Sequence, residues 1–123
     1  AGTALTFDFI TEKGDYLGGA ISPGLDMRFK ALHTFTDKLP LVKNTQTSLI
    51  GNTTELAIAS GVVNGMLYEI EGTITQLKAQ YPTLLIFLTG GNCFFFESKL
   101  KKPIFANQNL VLFGLNRILE YNA

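Results

Sequence analysis

The sequence is poor in charge, and that shortage sets the first limits on what the protein can be. Charged residues are 16% of 123, ten basic against ten acidic, for a formal net charge of zero. An average soluble domain carries about 25%. No basic stripe exists, and the densest positive run, Lys99, Lys101 and Lys102, reads as a solvated helix end. Neutralising the phosphates of a duplex needs clustered Lys and Arg, so nucleic acid is not an expected partner. The single cysteine, Cys93, excludes an internal disulfide and fits a reducing cytoplasm. The single histidine, His33, has no cysteine or serine partner at readable spacing, so a surface helix position is expected. No His/Cys cluster points to zinc, and no metal site is expected in this chain. No apolar run approaches the ~20 residues of a membrane span, and no signal-peptide pattern opens the chain, so no membrane partner is expected.

What is present is apolar. Hydrophobic residues make up 46% of the chain, with ten Phe. A chain of this size is one domain by default and buries roughly two-thirds of its unfolded surface. So apolar a composition suggests that part of the surface is hidden against a partner. The chain opens Ala1-Gly2-Thr3 without Met and passes at once into a strand pattern, which reads as a start in mid-domain.

Leu5, Phe7 and Phe9 alternate with Thr6, Asp8 and Ile10, the period of a strand. Glu12-Lys13-Gly14-Asp15 is turn chemistry, and Tyr16 to Ile21 completes a hairpin. Gly18-Gly19 inside the second strand is costly unless a backbone or a ligand comes close. After Ser22-Pro23-Gly24 a helix is expected from Leu25 to Leu39, with Met27, Leu32 and Phe35 or Phe29 on its apolar side. Pro40 stops it, and residues 41–46 read as extended. A long helix opens at Asn52, with Glu55 completing a capping box, and runs to Gln80 before Pro82. Leu84 to Leu88 reads as a strand buried on both faces. Thr89-Gly90-Gly91 ends it, followed by a Phe-rich helix over 92–100, a short strand at Ile104-Phe105-Ala106 and a closing amphipathic helix over 110–121. The class is mixed α/β.

On the long helix, Leu56, Val63, Leu67, Ile70, Ile74 and Leu77 share one face, the expected core side. Thr54, Ala57, Gly61, Gly65 and Gly72 line the opposite side, with Tyr68 nearby. Each glycine costs a helix about 1 kcal/mol relative to Ala. Gly61, Gly65 and Gly72 together cost roughly 3 kcal/mol of a marginal stability of about 5–15. Close approach by another backbone offsets such a loss, whether from this domain, a second subunit or another part of the protein.

Two glycine-rich elements, Gly2-Thr3 and Thr89-Gly90-Gly91, flank strands. Such elements either form tight turns or let backbone N–H groups approach a phosphate, and the second precedes a helix N-terminus. Neither is a Walker A loop. Asp8 lies in mid-strand beside the glycine-rich start and reads as a carboxylate on the wet face of the hairpin. Cys93 reads as packed rather than reactive.

Taken together these motifs resemble one family. Ala1-Gly2-Thr3-Ala4-Leu5-Thr6 resembles the end of the Asp-x-Gly-Thr-Ala-x-Thr motif of type III pantothenate kinases, also called Bvg accessory factors. Gly18-Gly19-Ala20-Ile21-Ser22-Pro23-Gly24 resembles their Gly-Gly-x-Ile-x-Pro-Gly. Gly51 to Ala57 resembles Gly-x-x-Thr-x-x-Ala, Thr89-Gly90-Gly91 resembles Thr-Gly-Gly, and Asn109-Leu110 with Gly114-Leu115 resembles the closing helix. The resemblance runs through essentially the whole chain in order.

It implies a ribonuclease H-like half of an actin-like ATPase fold, a mixed sheet flanked by helices, forming a single C-terminal domain over residues 1–123. The implied activity of the whole protein is transfer of the ATP γ-phosphate to pantothenate, the first step of coenzyme A synthesis, by a homodimer with Mg and a monovalent cation, potassium or ammonium. By position, Gly2, Thr3, Thr89, Gly90 and Gly91 would border ATP. Thr54, with Gly18 and Gly19, would face pantothenate, and Ala57, Gly61, Gly65, Tyr68 and Gly72 would form the dimer interface. The family's Asp-x-Gly-Asn phosphate loop and the Gly-x-Asp-Arg motif that carries its general base are absent from this sequence. No catalytic residue is therefore expected here, the N-terminal half of the parent protein is expected to be missing, and the chain alone is expected to be inactive. The alternatives are a regulatory, transcriptional activator-like protein of the same fold and a dimerising interaction module.

Overall fold

A computed structural model describes residues 1–43, 46–101 and 104–122. Asn44 and Thr45 of the expected extended segment, and Lys102 of the lysine run, lie outside the described residues. Along the chain the elements are β1 (Ala4–Ile10), β2 (Tyr16–Pro23), α1 (Leu25–Phe35), α2 (Thr54–Gln80), β3 (Phe87–Leu88), α3 (Cys93–Glu97), β4 (Phe105–Ala106) and α4 (Leu110–Asn122). They form two compact units, one of residues 3–69 and one of residues 1–2 with 70–123.

In the first unit β1 and β2 pair antiparallel from Ala4↔Pro23 to Ile10↔Tyr16, with an irregularity between Phe9 and Ile10. The turn closes through Gly14 N–H donating to the Thr11 carbonyl at 2.9 Å. The expected alternation holds: Leu5 is buried, whereas Thr6, Asp8 and Ile10 are exposed. Asp8 lies on the wet face, where its Oδ1 accepts a 2.9 Å hydrogen bond from the Tyr16 hydroxyl. That bond and the carboxylate's charge raise the Tyr16 pKa.

Helix α1 is shorter than the sequence suggested, and of its expected apolar residues Phe29 is the buried one. It ends at Phe35, where the Thr36 hydroxyl donates back to the Leu32 carbonyl, a competing local bond that disfavours continuation. Leu25 and Phe29 are the buried pair, whereas Met27 is exposed and Phe35 is 86% exposed. His33 is exposed as expected, and its Nδ1 donates to the Leu39 carbonyl at 2.8 Å.

Helix α2 ends where expected, with Pro82 just beyond Gln80. Its start differs by one residue from the expected cap. Thr53, not Asn52, supplies it: the Leu56 N–H donates to Thr53 Oγ1 at 3.2 Å, and the Ala57 N–H to the Thr53 carbonyl at 2.8 Å. Both residues are good N-caps, and only backbone geometry decides between them. The preceding loop is tied down by α2 itself. The Ser60 hydroxyl donates to the Leu49 carbonyl (2.7 Å), and Asn64 Nδ2 donates to Ser60 Oγ (3.2 Å) and the Ser48 carbonyl (3.3 Å).

The buried face of α2 carries Ile58, Ala59, Val62, Val63, Met66, Ile70 and Ile74. Val63, Ile70 and Ile74 were expected there. Leu56 is exposed instead, and Leu67 and Leu77 are half-buried, because the helix is rotated toward Ala59 and Met66.

In the second unit β3 and β4 pair in parallel, Phe87↔Phe105 and Leu88↔Ala106. The Phe105 N–H donates to the Ile86 carbonyl (3.0 Å) and the Asn107 N–H to the Leu88 carbonyl (2.9 Å). Burial on both faces of the 84–88 segment is not found. Leu85 is 67% exposed, Phe87 is 58% exposed and stacks on Phe105 at 5.4 Å between centroids, and the pairing is only two residues long. The segment is therefore covered on one face only. Cys93 and Phe96 of α3 are buried, so the cysteine is packed. Helix α4 buries none of its residues, and Val111, Leu112, Phe113, Ile118 and Leu119 are all exposed.

Thr53→Ala should destabilise the chain by about 1 kcal/mol in chemical denaturation, while Asn52→Ala should have little effect. The reverse ranking would return the cap to Asn52.

Candidate functional site

Ala1 and Gly2, at the start of the first glycine-rich element, lie in the second unit with the Thr89-Gly90-Gly91 turn. The Ala1 amine donates to the Thr89 carbonyl at 2.7 Å, and the Asn92 N–H donates to the Ala1 carbonyl at 3.1 Å. Gly90 adopts φ +95, which disfavours side chains, and a Cβ there would lie 2.5 Å from the Ala1 carbonyl oxygen. The chain's own backbone thus accounts for Gly90. Gly2 and Gly91 differ, since a Cβ at either would meet no atom within 4 Å. They leave open space beside the backbone on both sides of the contact. Thr3 follows directly and is exposed. Helix α3 spans five residues. An extended helix dipole after the Thr-Gly-Gly turn is therefore not available.

Thr54, Gly18 and Gly19 lie in the first unit on separate elements. Thr54 is the exposed first residue of α2. Beside it a depression of about 440 Å³ is lined by Leu41, Val42, Lys43, Gln46, Glu55 and Leu56. Gly18 has φ +99 next to the ladder irregularity, and a Cβ at Gly19 would collide with the Phe7 carbonyl. The hairpin backbone therefore needs both glycines.

The small-residue stripe is open. Ala57, Gly61, Tyr68 and Gly72 are exposed and Gly65 is half-buried. A Cβ at Gly61, Gly65 or Gly72 would meet no atom within 4 Å. Packing within the described residues therefore does not offset the helix cost of these glycines.

One polar cluster went unread in the sequence. Glu69, on α2, accepts from the Ser22 hydroxyl through Oε1 and from Arg28 Nη2 through Oε2. Arg28 Nε also donates to the Pro23 carbonyl at 2.8 Å, and Nη2 lies 3.4 Å from Ser22 Oγ. The side chains are 19% (Arg28) and 31% (Glu69) exposed. Ser22-Pro23-Gly24 reads simply as a strand break, and its polar partners are 6 and 47 residues away. The one local signal was Arg28, a turn into α1, within reach of the carbonyl just before that helix. Among the described residues, no three His, Cys, Asp or Glu side chains cluster so as to hold a metal ion, and no helix is long and apolar enough to cross a membrane.

Comparison with known proteins agrees with this architecture. The model of the family described as type III pantothenate kinase matches residues 1–76. A type III pantothenate kinase from Phocaeicola vulgatus is 57% identical over 123 residues, 99% of this chain and 51% of that protein. One from Cytophaga hutchinsonii is 52% identical over 122 residues, 98% of this chain and 52% of that protein. A crystal structure of a Baf family protein from Campylobacter jejuni superposes with a TM-score of 0.74 at 27% identity, covering 99% of this chain and 55% of that one. The fold is thus a mixed α/β arrangement of the Baf type. The chain belongs to the type III pantothenate kinase family and spans about half the length of the curated relatives it matches.

The Glu69 cluster predicts a pH dependence. Partial burial pushes the Glu69 carboxyl up, but the hydrogen bonds from Ser22 and Arg28 and the guanidinium charge together hold it below the ordinary value of 4.5. A carboxylate depressed in the folded state stabilises fully above its unfolded pKa and loses that contribution as pH falls. The stability gap between the unsubstituted chain and Glu69→Gln should be constant between about pH 6 and 8 and shrink below the ordinary carboxylate range. A gap that persists unchanged to strongly acid pH contradicts this.

Proposed function

We propose that this chain supplies the C-terminal part of a kinase that transfers the γ-phosphoryl group of ATP to pantothenate, on a ribonuclease H-like half of an actin-like ATPase fold. The observation that carries the reading is the meeting of Ala1-Gly2 with the Thr89-Gly90-Gly91 turn. Two glycine-rich elements, distant in sequence, share one place and leave the space beside Gly2 and Gly91 open. Phosphoryl transfer rests on positioning and charge neutralisation, which an exposed threonine hydroxyl and unobstructed backbone serve well. In this reading Thr3 donates to an ATP phosphate, Gly2 and Gly91 let the nucleotide approach, and Gly90 fixes the turn. Thr54 faces pantothenate beside the depression that Lys43 and Gln46 line, and Gly18 and Gly19 shape the hairpin on the substrate side. ATP with Mg supplies the phosphoryl group and offsets its charge, and the monovalent cation adds to that. The general base has no match in this chain, so the chain by itself is expected to be inactive.

The open stripe of Ala57, Gly61, Gly65, Tyr68 and Gly72 supports a homodimer formed through α2. The regulatory alternative gains nothing from a chain of zero net charge without a basic stripe.

Two experiments test this reading. At full family length, the protein should convert pantothenate and ATP to phosphopantothenate, and Thr3→Ala should lower kcat/KM for ATP by roughly 10- to 100-fold, the loss of one hydrogen bond to a charged group. Failure of both ATP and pantothenate to bind the chain combined with its N-terminal half contradicts the proposal. Gly61→Leu meets open space within one chain, so it should leave the fold intact while converting a sedimenting dimer to monomer. A dimer that survives Gly61→Leu and Gly65→Leu together removes the stripe from the interface.

A further inference from the structure

The polar cluster at the end of β2 has no part in the function proposed above, yet it stands at a sensitive point. Strand β2 ends at Pro23, which has no N–H to give the ladder. Pro23 pairs with Ala4 and Ser22 pairs with Leu5, and these are the two residues that follow Thr3. The ladder therefore ends where β1 begins, one residue from the threonine assigned to phosphate. At that point four bonds from side chains hold the corner. Arg28 Nε donates to the Pro23 carbonyl, Arg28 Nη2 donates to Glu69 and to Ser22 Oγ, and the Ser22 hydroxyl donates to Glu69. Helix α1 adds little of its own there, since its N-cap is Gly24 and makes no side-chain cap. The carboxylate thus joins α2, α1 and β2 at the one corner that sets the start of β1.

We propose that Glu69 is a positioning residue for the nucleotide end of the site, acting through Ser22 and Arg28 on the β1–β2 register that places Thr3. It touches no reactant. The proposal rests on Thr3 contacting ATP phosphate. Its effect is directional. The corner pairs directly with Ala4 and Leu5, whereas Thr54 heads α2 about 22 Å along the helix axis from Glu69. Gly18 and Gly19 pair with Phe9 and Asp8, nearer the hairpin turn. Loosening the corner should therefore disturb the ATP side and spare the pantothenate side.

Glu69→Gln keeps the size of the side chain and an acceptor for Ser22 but turns an amide toward Arg28 in place of the carboxylate oxygen. At full family length it should raise KM for ATP about tenfold while KM for pantothenate stays within about twofold. Arg28→Lys keeps the charge but loses the donor to Pro23 and should shift the same ratio in the same direction. Ser22→Ala, the mildest change, should move it less and serves as the deciding variant if Glu69→Gln fails to fold. An unchanged KM for ATP in a folded variant, or equal rises in both KM values, overturns the proposal. If the unsubstituted protein uses ATP and pantothenate but the ratio does not move, only the role of Glu69 falls. If it uses neither, the function proposed above falls with it.

Discussion

Burial of a single stripe along α2 is the constraint on which both units depend. Ala59, Val62, Val63, Met66, Ile70 and Ile74 recur at helical spacing and are all buried. They run the helix through both compact units, with the division falling between Glu69 and Ile70. Once that stripe is fixed inward, the rest of the helix surface is fixed too. Gly61 and Gly72 are exposed, Ser60 and Asn64 reach the loop before the helix, and Glu69 comes to the strand corner. A helix of 27 residues is about 40 Å long. The three glycines remain a cost to a helix that would be more stable with alanine. Nothing in the described residues packs on them.

The turn at Thr89 to Asn92 shows a second economy. Gly90 is required by a left-handed backbone and by the Ala1 carbonyl against it, so its role is structural in its own right. Its neighbours Gly2 and Gly91 carry no such requirement and are the positions where the absence of a side chain leaves room. The backbone thus requires Gly90, whereas a Cβ at Gly2 or Gly91 would meet no atom within 4 Å. Family membership speaks for the motif as a whole, and only geometry separates these two duties.

Much of this was legible in the residues. The period-two pattern of Leu5, Phe7 and Phe9 with the Glu12 to Asp15 turn specified the hairpin, and Pro82 marked the end of α2. The mixed α/β class and the small-residue stripe were also readable, because each follows from local spacing. What the sequence concealed depended on contacts between distant residues. Periodicity put Leu56 in the core face, but the helix turns toward Ala59 and Met66. The apolar run at 84–88 implied two covered faces, yet a two-residue parallel pairing leaves Leu85 and Phe87 exposed. Asn52 and Thr53 are chemically equivalent caps until the backbone chooses. The Ser22, Arg28 and Glu69 cluster joins residues from three elements, so no local pattern announces it.

The central claim is that the nucleotide lies against Gly2-Thr3 and the Thr89-Gly90-Gly91 turn, held by elements that this chain contributes. Hydrogen–deuterium exchange on the protein at full family length, with and without ATP, tests it most directly. The account predicts added protection confined in this chain to peptides covering residues 1–6 and 89–93, with α4 unchanged. Protection elsewhere in the chain with none at those two segments would contradict it.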